Sequence, residues 1–162
     1  MIEINSVRIR KARNTDIQKI LSLLIDTFQS YRMYYTEDAF AHAILLSFDE
    51  IRKRIEHPTK LVLVGVIKNL IIGTVTASFQ DDNQVYLQSM CVLPDFQGFG
   101  VGRLLLEKIE KITREKKYKR IYFECFEPLK KSINLYETYG YKKTGRTIPF
   151  YGVTFFEMKK DF

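Results

Sequence analysis

The chain of 162 residues has little of what builds small secreted, disordered or membrane-spanning proteins. Two cysteines make no disulfide framework, so a reducing cytoplasm is the expected setting. Four prolines and eight glycines exclude collagen-like and low-complexity chains, and 46% hydrophobic residues exclude a disordered one. No apolar run approaches the roughly 18 to 20 residues that span a bilayer, and the start, MIEINSVRIRKARNTD, carries no signal-peptide core. His42 and His57 stand alone without metal-ligand spacing, so no metal site is expected. What the chain has in excess is positive charge, 26 Lys and Arg against 19 Asp and Glu, net +7. That favours polyanionic partners: nucleic acid, an anionic membrane or a phosphorylated ligand.

No internal repeat or Pro/Ser-rich linker divides the chain, and residues 1–162 read as a single domain. Val7 to Lys11 alternates as a strand. Thr15 and Gln18 fit a capping box for a helix carrying Ile17, Ile20, Leu21, Leu24 and Phe28. Thr36 caps a second helix, and Asp49 starts a short third one. Leu61–Ile67 and Ile71–Phe79 form a hairpin around Lys68-Asn69, and Val85–Val92 is the next strand. A helix follows from Val101, then a strand from Arg120, a helix over Leu129–Tyr139 closed by Gly140, and two final strands. The segment 85–126 is a crossover, so its two strands are parallel while the hairpins are antiparallel. The fold class is α/β, with a mixed, mostly antiparallel sheet flanked by helices.

Between the strand ending at Val92 and the helix starting at Val101 lies Gln97-Gly98-Phe99-Gly100-Val101-Gly102. Three glycines in five positions let the backbone approach a ligand closely, and the helix start supplies unpaired N–H groups and a positive dipole end. Such a loop suits a phosphate or pyrophosphate, with Arg103 adding charge. It is neither a Walker A loop, which needs Lys-Ser/Thr where Arg103-Leu104 stand, nor a dinucleotide fingerprint, because Arg103 and Leu105 occupy the third-glycine positions.

Gln97-x-x-Gly100-x-Gly102 resembles the pyrophosphate signature of the GNAT superfamily of N-acetyltransferases. Met90-Cys91-Val92-Leu93-Pro94-Asp95-Phe96 resembles the family's strand and short loop before it, and Ser132-Ile133-Asn134-Leu135-Tyr136-Glu137-Thr138-Tyr139-Gly140-Tyr141 its Ala-Ile-x-x-Tyr-Glu-x-x-Gly-Phe segment. The resemblance is specific from about 85 to 145 and weak over the first 60 residues. It implies a GNAT-like acyl-CoA N-acyltransferase fold and acetyl-CoA as co-substrate. The pyrophosphate would lie on Gln97, Gly98, Phe99, Gly100, Val101 and Gly102. Met90, Cys91 and Val92 would border the pantetheine arm, which pairs by backbone with Cys91 and Val92 where the strands at 85–92 and 120–126 splay apart. Val92 N–H would face the oxyanion, and Tyr136 would protonate the departing thiolate. Leu129 stands where many members have Asn, and Asn134 is the nearest amide that could substitute.

The implied reaction moves an acetyl group to a primary amine by direct attack within a ternary complex. An alkyl amine near pKa 10.4 costs roughly 4 to 5 kcal/mol to neutralise at pH 7. Glu124, Glu127, Asp81, Asp82, Glu37 and Asp38 are the candidate bases, and water-relayed deprotonation is expected. For the acceptor, Tyr34, Tyr35, Glu37 and Tyr151 are the candidate contacts, and Arg32 could hold a carboxylate. The aromatic residues serve equally as loop anchors. The favoured acceptor is a small molecule; a protein N-terminus or lysine is the alternative, and a non-catalytic acyl-CoA-binding regulatory module is the rival from another class. Basic residues interleaved with acidic ones on the helix after Gly102, including Glu110–Arg114 and Glu107–Lys111 pairs, point away from nucleic acid. An exposed C-terminal strand could pair across a homodimer.

Overall fold

The computed structural model describes residues 3–162. Its strands are β1 (Arg8–Lys11), β2 (Lys60–Ile67), β3 (Leu70–Phe79), β4 (Gln84–Val92), β5 (Arg120–Cys125), β6 (Lys142–Phe150) and β7 (Val153–Asp161). Its α-helices are α1 (Ile17–Phe28), α2 (Glu37–Ala43), α3 (Phe48–Glu56), α4 (Val101–Glu115) and α5 (Lys130–Thr138). The strands form one sheet in the order β1-β2-β3-β4-β5-β7-β6. Every pair is antiparallel except β4–β5, the crossover pair that brackets α4. The mixed, mostly antiparallel sheet expected from the sequence is thus present. β7, however, lies between β5 and β6, so the C-terminal strand is not the exposed edge that a paired dimer was expected to use; the edges are β1 and β6.

Helices cover both faces of the sheet. Leu105, Leu106 and Ile109 of α4 and Ile133 of α5 pack on Ile72, Leu87 and Ile121. Ile17, Ile20, Leu23 and Leu24 of α1 and Ile51 of α3 pack on Val62, Val64 and Ile71. Adjacent β3 residues Ile71 and Ile72 therefore serve opposite cores, as the period-two geometry of a strand requires. Each large aliphatic side chain so enclosed contributes about 1.5 to 3 kcal/mol relative to exposure.

Local chemistry decides the helix starts. Thr36 Oγ1 accepts the Ala39 N–H at 3.0 Å, the cap that the sequence predicts. Ser47 rather than Asp49 opens α3, exchanging hydrogen bonds with Glu50. The Thr15–Gln18 box does not form. A 3-10 turn over Asn14–Asp16 precedes α1, and Asp16 accepts from the Arg13 N–H at 2.7 Å and from both Arg10 guanidinium nitrogens at 2.7 and 3.1 Å. Arg10 holds the Asp16 carboxyl below its usual range, and the Arg13 N–H adds to this. On α4, Glu110 pairs with Arg114 at 3.2 Å as expected. It is only 4% exposed, and Lys160 of β7 reaches it at 2.9 Å, so it is a buried tie to the sheet. Glu107 accepts the Tyr139 hydroxyl at 2.8 Å instead of pairing with Lys111.

Two features of β4 shape the site. Its pairing with β5 covers only Gln84–Tyr86 against Arg120–Tyr122. Opposite β3, Thr76 pairs with Gln88 and Thr74 with Cys91, so Ser89 and Met90 face the single residue Val75. This is a β-bulge, with Ser89 at φ 53°. Arg54 of α3 bonds it, donating to Ser89 Oγ at 2.8 Å.

Candidate active site

Beyond Tyr86 the strands β4 and β5 are unpaired with each other, and a groove opens from there to the start of α4. At the α4 end, Gly98 and Gly100 have φ of 82° and 88°, a conformation that residues with a Cβ rarely adopt. Gly100 is the N-cap of α4, and no side chain bonds the first-turn N–H groups. They remain directed at the groove with the positive end of the helix. Gly102 faces the groove floor, where a Cβ would come within 3.2 Å of Leu135. Arg103 and Lys131 bring two cations to the walls.

Val92 completes the groove. Leu93 N–H donates to the Ile72 carbonyl at 2.8 Å, and Gly73 pairs with Val92. Antiparallel alternation then turns the Val92 N–H away from β3, toward the side that β5 has left. Its carbonyl accepts from Gln97 Nε2 at 2.9 Å and Thr27 Oγ1 at 3.4 Å. Gln97 therefore straps the glycine loop onto the end of β4. The Cys91 carbonyl instead lies beside Gly73 of β3, so the backbone pairing expected of Cys91 and Val92 is open at Val92 and closed at Cys91.

On the other side of β4 a cavity of about 320 Å³ opens under α1, α2 and α3. Phe28, Tyr35, Phe126, Phe150 and Phe155 line it with rings, and Arg54 and Glu124 bring charge. Tyr86 stands beside Glu124, its hydroxyl pKa raised first by burial and then by that carboxylate. Groove and cavity share Phe28, Met90, Leu129, Ser132 and Tyr136, so one junction joins them.

Tyr136 is held at the junction by Phe123, with ring centroids 4.2 Å apart. Its hydroxyl makes no hydrogen bond among the described residues, yet the only enclosed side-chain polar atom without a partner there is Tyr141 Oη. The Tyr136 hydroxyl therefore reaches open space. Burial raises its pKa, and the nearby Cys125 and Cys91 thiols act in the same direction. It stays protonated at neutral pH. Cys91 and Cys125 are free and buried, and burial pushes their thiols up to about 12 and about 11. Neither is a nucleophile poised as thiolate.

The residues nominated from sequence divide between the walls and the outside. Met90, Cys91, Val92, Gln97, Gly98, Gly100, Val101, Gly102, Arg103, Asn134 and Tyr136 line the groove, and Tyr35 lines the cavity. Phe99 does not; it is 43% exposed. Tyr34, 51% exposed, and Glu37, in the first turn of α2, lie off the cavity wall. Tyr151 is 50% exposed and stacks on His42 at 3.9 Å, because it and Gly152 form the tight turn between β6 and β7. Arg32 lies over the Phe40 ring instead of entering the cavity. Of the candidate bases, Glu127 is tied to Lys130 and Lys143 outside, and only Glu124 lines the cavity. Tyr31, an aromatic candidate beside Tyr34 and Tyr35, lines the groove and not the cavity, and Thr27, Lys131, Arg54 and Ser89 carry no motif. Of this second set only Thr27 is signalled in the sequence, by its place on the apolar face of α1.

The chain as a whole has relatives. The sequence profile of the acetyltransferase (GNAT) family matches residues 17–141. The chain belongs to that family, and so to the acetyl-CoA-dependent acyltransferases. Among solved structures it is similar to the PaiA N-acetyltransferase of Thermoplasma acidophilum in complex with coenzyme A, at 20% identity and a TM-score of 0.82 over 97% of this chain and 99% of that one. An acetyltransferase of Streptococcus agalactiae gives 18% identity and a TM-score of 0.80 over 98% and 100%. The ribosomal-protein-S18-alanine N-acetyltransferase of Escherichia coli gives 16% and 0.75 over 96% and 93%. Among the described residues no helix is long and apolar enough to cross a membrane.

Proposed function

We propose that this chain transfers an acetyl group from acetyl-CoA to a primary amine by direct attack, with both substrates bound at once and residues 1–162 acting as one catalytic domain. The observation that carries the reading is the junction: a groove with helix-terminal N–H groups opens at Tyr136 onto a cavity that contains a carboxylate. Acetyl-CoA supplies the acetyl group as an activated thioester. Its pyrophosphate fits the uncapped first turn of α4, flanked by Arg103 and Lys131, and its arm fits the unpaired edge at Val92. The absence of a Cβ at Gly102 is what keeps that passage wide enough.

The residues divide the work. Val92 N–H donates to the charge that grows on the acetyl oxygen. Glu124 receives the ammonium end of the acceptor and relays its proton outward through water, meeting the roughly 4 to 5 kcal/mol cost of neutralising the amine. Tyr136, kept protonated by burial, gives its proton to the leaving sulfur. The cavity, about 320 Å³ and lined with rings, suits a small molecule better than a protein acceptor. A purely binding module has no use for a tyrosine hydroxyl left open at the junction.

Titration calorimetry with acetyl-CoA, followed by thiol release over a panel of primary amines, tests the reading. Binding together with amine-dependent release is expected. No binding at millimolar acetyl-CoA overturns it.

A further inference from the structure

The cavity contains a cation that no carboxylate pairs with among the described residues. Arg54 sits in the last turn of α3 and lines the cavity. Its hydrogen bond among the described residues goes to Ser89 Oγ, a neutral partner, and it enters no ion pair there. The carboxylates of its own helix are engaged elsewhere. Asp49 pairs with Lys53 at 3.0 Å, Glu50 accepts the Ser47 N–H at 2.6 Å, and Glu56 accepts from Asn14 at 3.0 Å. Burial lowers the Arg54 pKa from its ordinary value, with Glu50 and Tyr86 acting weakly against it. A desolvated guanidinium with spare donors is a fork for a planar anion.

The neighbouring groups narrow the anion's source. Glu124 of β5 is the cavity's own carboxylate, and it stands beside Tyr86 of β4. His42 is occupied by the Asp38 carbonyl at 2.8 Å and by the Tyr151 ring. The rest of the wall is largely apolar, aromatic and aliphatic, with Gln88 and Ser132 as its further polar side chains. The cavity thus offers one site for a cation, one for an anion and a lining for an apolar body. Ser89, which holds Arg54, directly precedes Met90, which borders the junction. Both therefore stand on the same short piece of β4, so one acceptor that carries a carboxylate and an amine can engage Arg54 and the junction together.

We propose that Arg54 binds the carboxylate of the acceptor, and that the acceptor is an α-amino acid with an apolar side chain; this rests on the acetyl transfer proposed above. Arg54 takes the part that the sequence offers to Arg32, which is spent on the Phe40 ring.

Thiol release with leucine, methionine and phenylalanine, each beside its amide and its decarboxylated amine, tests the proposal. Wild type is expected to favour each amino acid over both neutral-end counterparts at least tenfold in kcat/KM. Arg54→Gln lowers the amino acids at least tenfold more than their counterparts, chiefly through KM, and Arg54→Lys falls between. Wild type using the decarboxylated amines equally well overturns the proposal, as does Arg54→Gln lowering all acceptors alike while acetyl-CoA still binds. If the glutamine variant no longer binds acetyl-CoA it has lost its fold, and the wild-type preference with the lysine variant decides. Wild type that binds acetyl-CoA but acetylates no amino acid overturns this inference alone. Wild type that does not bind acetyl-CoA removes the reading beneath it.

Discussion

In the groove at the start of α4 the backbone presents its own donors: N–H groups of one short loop and one helix end, exposed because Gly98, Gly100 and Gly102 leave room. In the cavity beside it the lining groups are side chains, brought from α1, α2, α3, β4, β5, α5, β6 and β7, whose sequence positions run from Leu24 to Phe155. The first construction is local and tolerates little change, since each glycine answers a backbone angle or a close approach. The second is assembled at long range, and each side chain can be exchanged without disturbing the loop. On the reading proposed above, a common cofactor would lie on the fixed loop and the acceptor on the exchangeable side chains.

That contrast can be broken by experiment. The largest effect is expected at the junction, where the two halves meet. Tyr136→Phe should lower kcat by about a hundredfold to a thousandfold, with little change in acetyl-CoA affinity. Wild-type turnover in that variant would show that the tyrosine only packs on Phe123. Next, Gly102→Val drives a branched side chain toward Leu135. Acetyl-CoA should bind roughly a hundredfold more weakly, about 2.7 kcal/mol, by calorimetry. Unchanged binding would mean the backbone is not the binding group.

A smaller effect is expected from Glu124→Gln, about tenfold to a hundredfold in kcat/KM for the amine, with acetyl-CoA binding intact; equal losses for both substrates would collapse the distinction between the halves. Away from both sites, Asp16→Asn should cost about 1 to 3 kcal/mol of stability at pH 7. The native pKa of Asp16 lies below its unfolded value near 3.9, so its contribution is present above that value and fades as pH falls through the native one. Denaturant midpoints of wild type and variant should therefore converge in acid. A difference that persists there would mean that shape, not charge, holds the start of α1.

Much of this molecule is readable along the chain. The strands and helices follow from apolar period, and the Thr36 cap and the Gly140 stop follow from local chemistry. The Thr15 cap fails because Asp16, the nearby stronger acceptor, is claimed by Arg10 from β1, which lies beside it only after folding. Glu107 turns to Tyr139 for a similar reason. Tyr34, Glu37 and Tyr151 belong to a segment near the site, but which neighbours face the cavity depends on a short 3-10 turn and on the β6–β7 turn. Arg54 has no motif around it; its importance comes from the bulge at Ser89 that it bonds.

The sequence by itself determined the helical and strand periods, the glycine loop, the helix that the loop opens, and Tyr136 on the helix that follows β5. Such properties depend on residues within a few turns of each other. Tertiary structure alone decided that β7 lies inside the sheet, that β4 and β5 part after Tyr86, that Val92 rather than Cys91 presents its backbone to the gap, and that Arg54 and Glu124 share one cavity. Those outcomes rest on contacts between segments distant in sequence, where burial and competition among partners select one arrangement from many that local patterns permit.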